Sequence, residues 1–186
     1  MNTITFLKPN LVDIEMISNS KSKIIIQPLE RGFGHTLGNA LRRVLLSSMP
    51  GSAVTEVSID NILHEYSTID GVQEDVLEIL LNIKKLALVL HDKDMIEVKL
   101  TKKGKGPVLA SDIEDHPNLD IKNPDFCIAN MTNEKTELVI NLTISQGKGY
   151  QPAVKRKFNE LEDLGIGKMQ IDASFTPVEK VSYSVD

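Results

Sequence analysis

Three glycines, Gly32, Gly34 and Gly38, stand between an apolar run, KIIIQPL, and a helical pattern, ALRRVLL. A glycine-rich turn from strand to helix can cradle a phosphate, because it lets backbone amides at the helix N-terminus approach an anion closely. The dinucleotide fingerprint requires G-x-G-x-x-G, and here the third glycine comes one residue late, with Leu37 in its place. A side chain at that point pushes the helix off its strand. Asp60 lies about 20 positions on, where a ribose-binding carboxylate belongs, so the pattern is a near miss rather than a lone glycine pair. Two other motifs fail outright. GKGP at 104–107 lacks the P-loop spacing, and HEYST at 64–68 ends in Thr68 where a zincin needs His.

The elements that position these residues belong to a chain of 186 residues, 41% hydrophobic and 25% charged, in the ordinary globular range. The net charge of −5 leaves no basic excess to neutralise a run of phosphates, so direct nucleic-acid binding by this chain is not expected. A single cysteine, Cys127, can form neither an internal disulfide nor a Cys-rich zinc site. The opening MNTITFLKPNLVDIEM is unlike a signal peptide, no apolar run reaches the ~20 residues that span a bilayer, and a cytoplasmic location is expected. The sequons at Asn130 and Asn141 carry little weight without a secretory signal.

Periodicity divides the chain into three segments. The first holds extended stretches around Asn10–Glu15 and Ser22–Leu29, then the glycine-led helix, and closes at MPGS, where Pro50 and Gly51 predict a boundary. The second, 51–154, opens with a strand, AVTEVSIDNIL. Asp70 with Gln73 then resembles a capping box, and Val72, Val76, Ile79, Leu80 and Ile83 follow at helical spacing. LALVLHDKDMIEVKL alternates and breaks at HDKD, which predicts a hairpin, and TELVINLTISQGKGYQP predicts a further strand. The third segment begins with KRKFNELEDLGIG, the composition of a linker at 155–165, after which KMQIDASFTPVEKVSYSV resumes strand-like alternation to the terminus. Strands mixed with two helices imply an α+β fold.

Winding 33–46 at about 100° per residue puts Phe33, Leu37, Ala40, Leu41 and Val44 on one face. Those residues are either internal core or a seam against another copy. The opposite face collects His35, Asn39, Arg42, Arg43 and Leu46. An apolar Leu46 among arginines is either a stray exposed leucine beside snorkelling arginines or an anchor in a contact patch.

The motifs LERGFGHTLGNALRRVLLSSMPG, LHEYSTIDGVQEDVLEILLNIKKL, GKGYQPA and IDASFTPVEKVSYSV resemble, in order and over essentially the whole chain, the N-terminal domain of the bacterial RNA polymerase α subunit. The resemblance implies a dimerisation domain from the two chain ends, 1–50 and 166–186, with a mostly β domain inserted at 51–154. It implies a non-catalytic scaffold for the β and β′ subunits in transcription, partnered by a second α chain, identical or diverged. No cofactor or metal is expected in this chain, and Mg²⁺ belongs to the catalytic partners. Matched by position, Phe6, Phe33, Leu37 and Val44 fall at the dimer seam, Asn39, Arg42, Arg43 and Leu46 on the helix face that meets β, and Lys84 and Ile171 at a contact with β′. Lys180 stands where the family favours Arg, which puts any bidentate carboxylate contact there in doubt. His35 and His64 read as structural, since neither has a second ligand at metal spacing. The family pattern continues past Asp186 with a strand, an amphipathic helix and a DNA-binding C-terminal domain, so this sequence is expected to be either a piece of a longer protein, as the stop inside a strand pattern favours, or a natural truncation, and promoter reading is not assigned to it. The competing readings are a small nucleotide-binding enzyme using the Gly32–Gly38 turn and an unrelated dimeric adaptor.

Overall fold

The computed structural model describes residues 7–154 and 167–186. Strict alternation builds the larger unit. In β9 (Glu137–Lys148), Leu138, Ile140, Leu142 and Ile144 are buried, and in β5 (Met95–Lys103) Ile96, Val98 and Leu100 are buried, so period two turns one face of each strand inward. The principal sheet runs β5–β9–β3–β4–β7, with β3 at Pro50–Ile59, β4 at Leu88–Leu90 and β7 at Leu119–Ile121. A ribbon of β6 (Gly106–Leu109) and β8 (Cys127–Met131) faces helix α2 (Val76–Ile83), whose Val76, Ile79, Leu80 and Ile83 enter the same core. A bulge between Val54 and Glu56 breaks the β3–β9 register. The extra residue there, Thr55, is buried, and its hydroxyl meets Ser145 Oγ at 2.8 Å and donates to the Thr143 carbonyl at 3.2 Å.

The glycine-led helix α1 runs Phe33–Ser47 and α2 Val76–Ile83. The fold is α+β. Three local expectations change. Asp75, not Asp70, caps α2, accepting the Glu78 amide at 2.7 Å. Gly71 has φ of +83°, a conformation no helix continues through, so Val72 turns away to bridge Met131, and Glu74 binds the Asn130 backbone and side-chain amides at 2.7 and 2.8 Å. The hairpin expected at HDKD does not form, because β4 and β5 are separated by β9 and β3. Gln146 of β9 holds both ends of that crossing, its backbone amide donating to Asp94 and its side chain to Leu90, each at 2.8 Å. Finally, alternation does not continue to the terminus: regular structure ends with β11 (Lys168–Gln170) and β12 (Ala173–Ser174).

The chain divides into two compact units, Met1–Leu45 with Lys180–Asp186, and Leu46–Glu179. Pro50 and Gly51, where the sequence predicts a boundary, lie five residues past this division and open β3, paired with Lys148 and Gly147 of β9. Gly51 is required by a close approach, since a Cβ there would stand 1.8 Å from the Phe175 carbonyl oxygen. Residues 167–179, expected with the N-terminal segment, group with the larger unit because β11 adds to β3, Met169 opposite Val57. The expected linker at 155–165 lies outside the described residues. Its flanks pair with each other inside the larger unit, Tyr150 and Gln151 of β10 (Tyr150–Gln151) opposite Ser174 and Ala173.

The smaller unit is built differently. β1 (Leu11–Ser18) and β2 (Lys21–Gln27) form an antiparallel ribbon with Val12 opposite Ile26 and Ile14 opposite Ile24, so the apolar residues share one face. Among its described residues none is buried. A two-stranded ribbon is marginal alone, and this one leaves Val12, Ile14, Met16 and Ile24 each more than half exposed.

Candidate functional site

Helix α1 starts from a turn in which the Phe33 amide donates to the Glu30 carbonyl at 3.0 Å and Gly32 takes φ of +85°. Gly34 and Gly38, four residues apart, lie one above the other along the helix. The chain end uses both. A Cβ on Gly34 would stand 2.8 Å from Val185 Cγ1, and one on Gly38 2.5 Å from the Tyr183 ring. The close approach that these glycines permit is thus taken by two side chains of the chain itself, where the phosphate reading required a pyrophosphate.

No residue of α1 is buried. Of the expected seam, Phe33 and Val44 are half exposed at 49% and 51%, and Leu37 is partly covered; Phe6 lies outside the described residues. On the other face, Asn39, Arg42 and Arg43 are exposed and Leu46 is partly buried. Asn39 and Arg43 line a shallow open depression with His35, Thr36, Ala40 and Tyr183, and Arg42 is not in its lining. The Tyr183 ring stands edge-on to His35 with centroids 6.5 Å apart. His64 meets Ser67 Oγ at 3.0 Å, a local structural bond.

The second cluster belongs to the larger unit. Lys84, the residue capping the C-terminus of α2, reaches Asp172 Oδ2 at 3.8 Å, next in sequence to Ile171. Residues 88 positions apart in sequence are brought together in this way. The Ile171 side chain itself is core, 6% exposed, and its backbone amide donates to the carbonyl of the bulged Thr55 at 3.1 Å. The exposed chemistry here is supplied by Asp172, which also accepts the Tyr150 hydroxyl at 2.7 Å and the Ala153 amide at 2.9 Å. The hydrogen bond to that carboxylate, aided by its charge, pushes the Tyr150 phenol pKa up.

Asp172, Tyr150 and Tyr183 are absent from the residues singled out by sequence. All three sit inside the motifs GKGYQPA and IDASFTPVEKVSYSV, but only the fold places them beside Lys84 or Arg43. Among the described residues no group of three or more His, Cys, Asp and Glu is placed to hold a metal ion, and no helix is long and apolar enough to cross a membrane.

A family model described as the RNA polymerase Rpb3/RpoA insert domain matches residues 57–176. The match runs from the last three residues of β3 to just past β12, covering most of the larger unit and the Lys84–Asp172–Tyr150 cluster. The chain therefore belongs to the RNA polymerase Rpb3/RpoA insert-domain family, as the N-terminal domain of an α-type subunit of that polymerase.

Proposed function

We propose that this α-type chain is a non-catalytic assembly scaffold, which dimerises with a second α chain and presents separate surfaces to the β and β′ subunits for transcription in the cytoplasm. The observation that carries this reading is the smaller unit, which has no buried residue among those described while its helix and ribbon display ordered apolar faces. Large side chains contribute about 1.5–3 kcal/mol each when fully buried, so this unit gains its main stabilisation only on meeting another surface. Phe33, Leu37 and Val44, with Phe6, supply the seam between α chains. Asn39, Arg42, Arg43 and Leu46 supply the face for β, and Lys84 with its neighbours around Ile171 the face for β′. Nucleotide and Mg²⁺ chemistry belongs to those partners.

Sedimentation of Phe33→Ala with Leu37→Ala tests the seam. The expected result is a monomer whose circular dichroism retains the β signal of the larger unit, since neither residue contributes to that core. A double variant that stays a tight dimer, or that unfolds outright, overturns the assignment. Co-purification of β and β′ with the wild-type chain tests the partners, and capture of neither sinks the scaffold reading.

A further inference from the structure

Charge is distributed unevenly along this acidic chain. Met1–Leu45 with Lys180–Asp186 carries seven Lys and Arg against four Asp and Glu, whereas the remainder carries fourteen against twenty-two. No carboxylate occurs from Arg31 to Thr55, a stretch that includes all of α1 and three arginines. The depression on α1 combines that positive character with an aromatic: Arg43, Asn39 and His35 surround it, and Tyr183, 43% exposed, forms one side. Tyr183 stays there because Gly38 has no side chain, its ring occupying the space a Cβ would fill.

We propose that Tyr183 is a contact residue of the α1 docking surface, and that this surface receives an acidic segment of β, a carboxylate meeting the Arg43 guanidinium beside the Tyr183 ring. The inference rests on the reading that the Arg43 face of α1 meets β. Its physical basis is complementarity. A planar guanidinium receives a carboxylate through two parallel hydrogen bonds, and tyrosine and arginine together are the residue types that dominate interface energetics. Asn39 and His35 add polar edges around the same point. Gly34 and Gly38 then have a defined role, which is to let Val185 and Tyr183 lie close enough to the helix for the tyrosine to reach that face.

The test is calorimetric titration of purified β into the purified α dimer, at low and high salt, with circular dichroism and melting of each variant as controls. Tyr183→Ala should weaken β binding about tenfold or more, with α1 still helical. Gly38→Ala, which displaces the ring without touching it chemically, should weaken binding comparably. Tyr183→Glu should be worse than Tyr183→Lys, because only the former repels a carboxylate, and raising salt should lower wild-type affinity. If Arg43→Ala weakens binding while Tyr183→Ala and Gly38→Ala bind normally, Tyr183 is not a contact and the inference fails with the scaffold reading intact. Equal effects of Glu and Lys at 183, or affinity indifferent to salt, overturn the acidic partner. Normal binding by Arg43→Ala and Leu46→Asp removes the β face itself and the inference with it. Duplex DNA is the control ligand, and binding of DNA that Tyr183→Ala abolishes while β binding persists assigns the surface to nucleic acid instead.

Discussion

The Tyr150 hydroxyl donates to Asp172 Oδ2 at 2.7 Å, tying β10 to the short connection between β11 and β12. The carboxylate stabilises the neutral phenol, so Tyr150 ionises above the usual phenol range. A raised pKa in the folded state means that the associated stability is fully present below the ordinary phenol pKa and is lost as pH rises through the raised value. Phenolate absorbance during alkaline titration should show one tyrosine ionising late, and Asp172→Ala should return it to the common range. A late tyrosine that persists in Asp172→Ala would show that some other group holds the proton.

Lys84 and Asp172 lie 3.8 Å apart with side chains about a third exposed, a geometry in which ion pairing contributes little. Lys84→Ala should therefore shift the urea midpoint by the equivalent of about 0.5 kcal/mol or less. It should nonetheless reduce retention of β′ by the α–β complex. Lost stability with β′ retention unchanged would make Lys84 a structural residue rather than a contact.

Gly51 and Gly147 are opposite one another on β3 and β9, and both make room for Phe175, which is 3% exposed. Their restraints differ. A Cβ on Gly51 meets the Phe175 carbonyl oxygen at 1.8 Å, whereas one on Gly147 meets the ring at 2.6 Å. Either alanine substitution should destabilise by about 1–3 kcal/mol, as overpacking does, with Gly51→Ala at the upper end because backbone cannot step aside. Phe175→Leu should partly rescue Gly147→Ala and leave Gly51→Ala unrescued. Urea unfolding of the single and double variants measures this, and equal rescue of both would contradict the backbone clash.

These contacts mark where sequence reasoning succeeds and where it stops. The alternation of β5 and β9 and the apolar spacing of Val76, Ile79, Leu80 and Ile83 are local signals, and they locate strands and helix without knowledge of the fold. Two things are not local. Period two is the same whether consecutive strands pair or stand two strands apart, so HDKD reads as a hairpin until Gln146 is seen bridging Leu90 and Asp94. Gly51 carries the same letter whether it breaks the chain or admits Phe175. For the site, the helical wheel groups Arg43 and Asn39 on one face, but the apolar stripe opposite is largely exposed as well, and the wheel cannot show that Tyr183, 140 residues beyond Arg43, lines the same depression as Arg43. At the cap, Asp70 and Asp75 are equivalent by residue type, and the positive φ of Gly71 decides between them.

Arg43 and Leu46 carry the prediction that bears most directly on the scaffold. Arg43 is exposed on a helix with no buried residue, so Arg43→Ala should leave the dimer and its melting nearly unchanged while weakening β binding by at least about 2 kcal/mol, the loss of an anchor desolvated in the interface. Arg43→Lys should be nearly as harmful, because an ammonium cannot reproduce the planar fork. Arg42→Ala should do less, since Arg42 stands outside the depression that Arg43, Asn39 and Tyr183 line. Leu46 is partly buried in the chain itself, so Leu46→Asp should reduce stability as well as β binding. For that reason Leu46→Met serves as its control, retaining volume and fold. The measurement is calorimetric titration of β with each variant dimer beside its melting curve. Full-strength β binding by both Arg43→Ala and Leu46→Asp would return this face of α1 to ordinary solvated helix surface and overturn the proposal that it docks β.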